Sequence, residues 1–154
     1  MRIALAAALA LTAASSLVAQ TAPSTSDLTY DQPIGGNWSY AATAQGGEAT
    51  FTDAYAHPQL TIRCTRATRR VSIAKPASAA APFLWVWTSS QIKNVPATYD
   101  ASTARVVADM AAFDPLLDAI ASSRGRIGFS TSGTAALVVP PWSEVARVIE
   151  ECRV

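Results

Sequence analysis

Gln59–Ile73 reads QLTIRCTRATRRVSI. Leu60, Ile62 and Cys64 take every second place, and Thr61, Arg63 and Thr65 fill the places between. A two-residue period of this kind belongs to a strand with one buried face. Val71 and Ile73 resume it after a polar link at Arg66 to Arg69. The stretch therefore predicts two antiparallel strands joined by a short turn. Cys64 falls on the inward side with the aliphatic residues. Arg63, Arg66, Arg69 and Arg70 fall on the other side or in the turn, where they form either a solvated sheet face or a surface for an anionic partner. Guanidinium forks match carboxylates and phosphates.

The only other cysteine, Cys152, is third from the end. It closes the pattern Val145, Val148, Ile149, Cys152, which has helical spacing. Two cysteines in an exported chain predict one disulfide, here tying the central hairpin to the last helix. Two cysteines and one histidine, far apart in sequence, do not make a metal-ligand cluster. No cofactor motif is present, so neither metal nor cofactor is expected.

Export is read from the start of the chain, MRIALAAALALTAASSLVAQ. A basic residue, an apolar run from Ile3 to Ala14 and small residues up to Ala19 predict a secretory signal peptide over residues 1–19. Its polar breaks at Thr12, Ser15 and Ser16 argue against a membrane span, and no later stretch is apolar enough to cross a bilayer. The expected location is the periplasm or the exterior. Residues 20–33 read as a polar, mobile leader, and residues 34–154 as a single domain large enough to bury a core. The formal charge is +1 and includes Arg2. A near-neutral chain is a poor match for nucleic acid.

Taken in order, Asn37–Ala41 and Glu48–Asp53 predict two strands around a turn at Gln45–Gly47. Ala54–Pro58 is a loop carrying His57, and Ala74–Ala81 is a Pro- and Ala-rich crossing. Pro82–Ser89 predicts the most apolar strand: Phe83, Trp85 and Trp87 share one side, Leu84 and Val86 the other. Apolar residues on both sides suggest a central, covered strand. The alternative is an exposed aromatic surface at Trp85 and Trp87. Asn94–Tyr99 reads as an edge strand, because Pro96 cannot donate to a ladder. Ala104–Met110 reads as a strand of weak alternation, with a short helix as the alternative.

Asp114 and Pro115 fit the cap and first position of a helix, with Leu116, Leu117 and Ile120 as its apolar stripe. Arg126–Ser130 and Thr134–Val139 predict a hairpin around Thr131–Gly133. Gly128–Ser132 falls one residue short of a G-x-S-x-G nucleophile elbow, and its strand-to-strand setting is wrong for one. No spacing supplies a nucleophile with its base, or paired carboxylates. The fold class expected is α+β: a curved antiparallel sheet with two helices.

Four stretches carry a resemblance: Trp38–Tyr40, Leu60–Cys64, Asp114–Ile120 and Trp142–Cys152. In these the chain resembles small exported alphaproteobacterial proteins. In its order of elements it is distantly similar to the invasion-associated locus B family of the periplasm. The resemblance implies an envelope-associated protein and carries over no catalytic set. The expectation is a non-catalytic periplasmic binding or scaffold protein whose partner is an envelope protein or an anionic ligand. The alternative is an inhibitor of an envelope enzyme, acting through a loop such as Ala54–Pro58 or Ala74–Ala81, or a small hydrolase.

Overall fold

The computed structural model describes Leu28 and residues 30–154. The expected signal peptide lies outside the described residues. The elements run β1 (Gly36–Thr43), β2 (Gly46–Asp53), β3 (Pro58–Thr65), β4 (Arg70–Pro76), β5 (Phe83–Trp87), β6 (Ile92–Asp100), β7 (Arg105–Ala111), α1 (Pro115–Ala121), β8 (Ile127–Ser130), β9 (Leu137–Val139) and α2 (Ser143–Glu151). Nine strands form one curled antiparallel sheet in the order β1-β2-β3-β4-β7-β6-β5-β8-β9. The α+β class is as expected.

The alternation in Gln59–Ile73 becomes the β3–β4 hairpin, with Ile62 opposite Ile73 and Cys64 opposite Val71. A single 3-10 turn at Arg66–Thr68 links the strands, and Arg69 leaves it in the left-handed region at φ 48°. Leu60, Ile62, Cys64, Val71 and Ile73 are all fully buried. They line the inside of the curl with Ala49 and Phe51 of β2, Leu84 and Val86 of β5, and Phe129 of β8. Both helices fill this hollow. Leu116, Leu117 and Ile120 of α1 and Val145, Val148 and Ile149 of α2 join the same core. The Asp114 carboxylate accepts the Leu116 amide at 2.9 Å. Such a cap contributes about 1 kcal/mol.

Cys64 and Cys152 form the disulfide, with Cα atoms 5.4 Å apart. Cys152 ends α2, and both cysteines are fully buried. Gly46 passes directly over the bridge at φ +149°. A Cβ there would lie 2.7 Å from the Cys64 carbonyl oxygen and 3.1 Å from its Sγ. Only glycine allows that approach.

Three expectations need correction. β6 is interior, lying between β7 and β5. Residues Ile92–Pro96 pair with β5, and Ala97–Asp100 pair with β7. The Ala97 amide donates to the Pro82 carbonyl on the β5 side. The Pro96 nitrogen therefore faces β7, one residue before that ladder begins, and its missing N–H removes no sheet bond. Next, β4 runs on through Pro76, so the Ala74–Ala81 crossing starts three residues later than expected. Finally, the β8 hairpin partner is only Leu137–Val139. Thr131 and Thr134 are held elsewhere, by Phe83 and Lys75, and the intervening chain makes a wide loop.

Leu28 falls within the stretch expected as a mobile leader, yet its side chain is buried against Trp87 and Val138. Further along, the Ile34 amide donates to the Val138 carbonyl, and Trp38 Nε1 donates to the Pro140 carbonyl. The segment between them thus connects the two edges of the sheet.

Candidate functional site

The outward sides of β2, β3, β4 and β7 carry small or polar residues, because their inward partners are spent on the core. Thr50, Thr61, Ala74 and Val107 lie in one cross-strand row. Glu48, Arg63 and Ser72 lie in the next. This region holds a groove of about 510 Å³. Its floor is the Thr50, Thr61, Ser72 and Ala74 rows. Glu48 and Arg63 stand at one end, and Asp100, Thr103 and Arg105 at the other.

The two ends differ electrostatically. Arg63 Nε donates to Glu48 at 2.6 Å, so that end is neutralised. Asp100 is occupied by its own turn, accepting from the Ser102 amide, the Ser102 hydroxyl and the Thr103 hydroxyl. The Ser102 hydroxyl is foremost among the donors that hold the Asp100 carboxyl below its ordinary pKa. Arg105, directly across the strand pair, has no carboxylate partner among the described residues. Its Nη1 reaches over β4 to donate to Thr61 Oγ1 at 3.1 Å and to the Ala74 carbonyl at 3.2 Å. The guanidinium is fixed on the floor, and its other N–H groups have no hydrogen-bond partner among the described residues.

The four arginines singled out from sequence do not form one open surface. Arg63 pairs with Glu48, Arg66 with Glu151 at 3.7 Å, and Arg70 with Asp109. Arg69 is exposed at the hairpin turn. Only Arg63 reaches the groove. Glu151 belongs to a second network, in which it accepts from Tyr40 at 2.7 Å and from Arg147 at 2.9 Å. The Tyr40 bond is the main cause of its lowered pKa. Arg147 also stacks over the Tyr40 ring, 3.7 Å from its centroid.

The aromatic surface divides. Trp87 is 6% exposed, so it belongs to the packed layer under Leu28 and is corrected from the surface reading. Trp85 is half-buried beside it, with ring centroids 6.0 Å apart. The carboxylates of β7 and α1 are dispersed as well. Asp109 pairs with Arg70, Asp114 with Lys93 and Asp118 with Arg153. His57 is exposed, 3.7 Å from Asp53. Asp53 organises that loop by accepting the Tyr55 and His57 amides and the Gln59 side chain. The His57 amide is the main reason its pKa is lowered. Among the described residues no group of three or more metal-ligating side chains converges.

Arg105 was missed because its importance is not local. The sequence ARVVADM places it outward of a strand, as alternation requires. Nothing in it says that the strand lies beside β4 and faces Thr61. No protein-family model matches the chain, and neither a curated protein nor a solved structure matches it significantly. No described helix is long and apolar enough to cross a membrane. The disulfide fits an oxidising compartment.

Proposed function

We propose that this protein is a non-catalytic binding module of the periplasmic envelope or exterior. It uses the groove across β2, β3, β4 and β7 to hold an anionic, hydroxyl-rich ligand. The observation that carries this reading is Arg105: a cation without a carboxylate partner among the described residues, held over a floor of small, mostly hydroxyl side chains. Such a guanidinium recognises carboxylate or phosphate oxygens with little further ordering cost. The disulfide and the packed helices keep the floor rigid. The envelope placement draws on the leader-like start of the sequence and on its resemblance to exported proteins.

The test is a titration of the oxidised protein with trigalacturonate, a carboxylated saccharide, against neutral cellotriose, followed by amide chemical shifts. Shifts confined to Thr50, Thr61, Ser72 and Arg105 are expected with the acidic probe alone. Arg105→Gln should weaken binding about tenfold or more, the order of one charge-assisted hydrogen bond. Equal response to both probes, or shifts elsewhere, would overturn the reading.

The loop Ala54–Pro58 favours a second reading, an inhibitor of an envelope enzyme. Tyr55 is 83% exposed at its tip, and Asp53 holds the loop in one shape. A preformed loop presenting an aromatic residue suits insertion into a partner's cleft.

A further inference from the structure

Lys75 is the one charged residue that is buried among the described residues, at 5% exposure. It continues the inward row of β4 after Val71 and Ile73. Its strand neighbour is Val106, whose own partner across β6 is Tyr99. Ala77, Ala81 and Val106 form the apolar cluster at this end of the curl, with Tyr99 packed on it. The Lys75 Nζ has one hydrogen-bond partner among the described residues, the Thr134 hydroxyl at 2.7 Å. No described carboxylate lies within ion-pair distance of it. Arg105, the residue before Val106 on β7, lines the groove on the opposite face.

An ammonium ion has three donors and is normally buried only with an opposite charge. Here there is one neutral hydroxyl. Desolvation pushes the Lys75 pKa down to about 8. An amine in this setting is a nucleophile near neutral pH, as desolvated lysines are. Thr134 is only half-buried and belongs to the wide loop with exposed Ser132 and Gly133. Thr134 therefore marks the side on which Lys75 lies nearest the surface.

We propose that Lys75 is a reactive-amine site that condenses reversibly with small aldehydes, with the Thr134 hydroxyl as its proton carrier. The neutral amine attacks the carbonyl carbon, forming a C–N bond as the C=O π pair moves to oxygen. One proton passes from nitrogen to that oxygen through the Thr134 hydroxyl, giving a carbinolamine. A second proton follows, the C–O bond breaks, and water leaves. The product is the imine, with no oxidant or reductant consumed.

The chain has only two lysines, Lys75 and Lys93, so it supplies its own reference. Lys93 is exposed and paired with Asp114. The folded, oxidised protein is incubated with acetaldehyde and cyanoborohydride at neutral pH, and ethylation of each lysine is followed by peptide mass spectrometry. Lys75 should react at least about tenfold faster than Lys93, since desolvation leaves far more of it neutral than of an ordinary lysine. In concentrated guanidinium the two rates should converge. Thr134→Val should slow Lys75 and leave Lys93 unchanged, and Thr134→Ser should restore it. A folded protein in which Lys75 reacts no faster than Lys93 overturns the proposal. An unchanged Lys75 rate in a folded Thr134→Val variant overturns the role given to the hydroxyl.

Discussion

The outward side of β2, β3, β4 and β7 lies open, whereas the outward side of β5, β8 and β9 is covered by the chain itself. Both belong to one sheet, and both are the reverse of the same core. The difference follows from what alternation puts there. In the first region the groove floor is Thr50, Thr61, Ser72 and Ala74, which are small and mostly hydroxylated, flanked by charged side chains such as Glu48, Arg63 and Arg105, and water is an adequate cover. In the second, Trp87, Gly128 and Val138 stand in one row. Leu28 sits on Gly128, where a Cβ would meet its Cδ1 at 2.7 Å. A row with that much apolar surface is stabilised by cover. The open region is held from inside by the disulfide. Among the described residues, the apolar cover of the closed one is Leu28.

The largest break in this comparison is loss of the bridge. A closed loop spanning 88 positions contributes about 4 kcal/mol in the chain-entropy description. Cys64→Ser with Cys152→Ser should lower the urea-unfolding free energy by about that much. The groove should lose its ordered amide shifts before the Trp87 region does. A loss below about 1 kcal/mol would mean that α2 is held by packing alone.

Lys75 lies between the two regions, and its effect depends on pH. Its folded pKa is about 8, below the ordinary value of 10.5. Between those values the unfolded chain binds more protons than the folded one, so stability rises with pH across that window. Below pH 8 the whole cost of burying the charge is present, on the order of 3 kcal/mol. Lys75→Met should remove this rise and be more stable than wild type at pH 7, as chemical denaturation across pH would read. A wild-type profile that stays flat from pH 8 to 10 would contradict the depressed pKa.

Smaller again is the effect of uncovering the second region. Leu28→Ala should cost about 2 kcal/mol, at the low end for a buried leucine because its cluster is small. Trp87 should become accessible to iodide quenching, and the groove should keep its ligand response. Quenching unchanged from wild type would show that Leu28 is not what covers Trp87.

Much of the fold was legible in the sequence because its signals are local. Leu60, Ile62 and Cys64 announce their strand by period. Asp114 and Pro115 announce the start of α1 by their hydrogen-bonding chemistry. Cys64 and Cys152 were the only two candidates for a bridge. The misreadings share one cause. Pro96 looks like an edge residue until β6 is seen to change partners beside it. Thr134 looks like the start of a strand until Lys75 takes its hydroxyl. The arginine patch looks open until Glu48, Glu151 and Asp109 arrive from other strands and from α2.

By itself the sequence determined which side of each strand faces inward, where the helices begin, and that a late helix could be tied to an early hairpin. Tertiary structure alone decided that β7 lies beside β4, that Arg105 therefore rests on Thr61, and that Lys75 is enclosed without a counter-charge. The physical reason is range. Side-chain alternation is set by neighbours two residues away, whereas strand order is set by how the whole apolar surface can be enclosed at once.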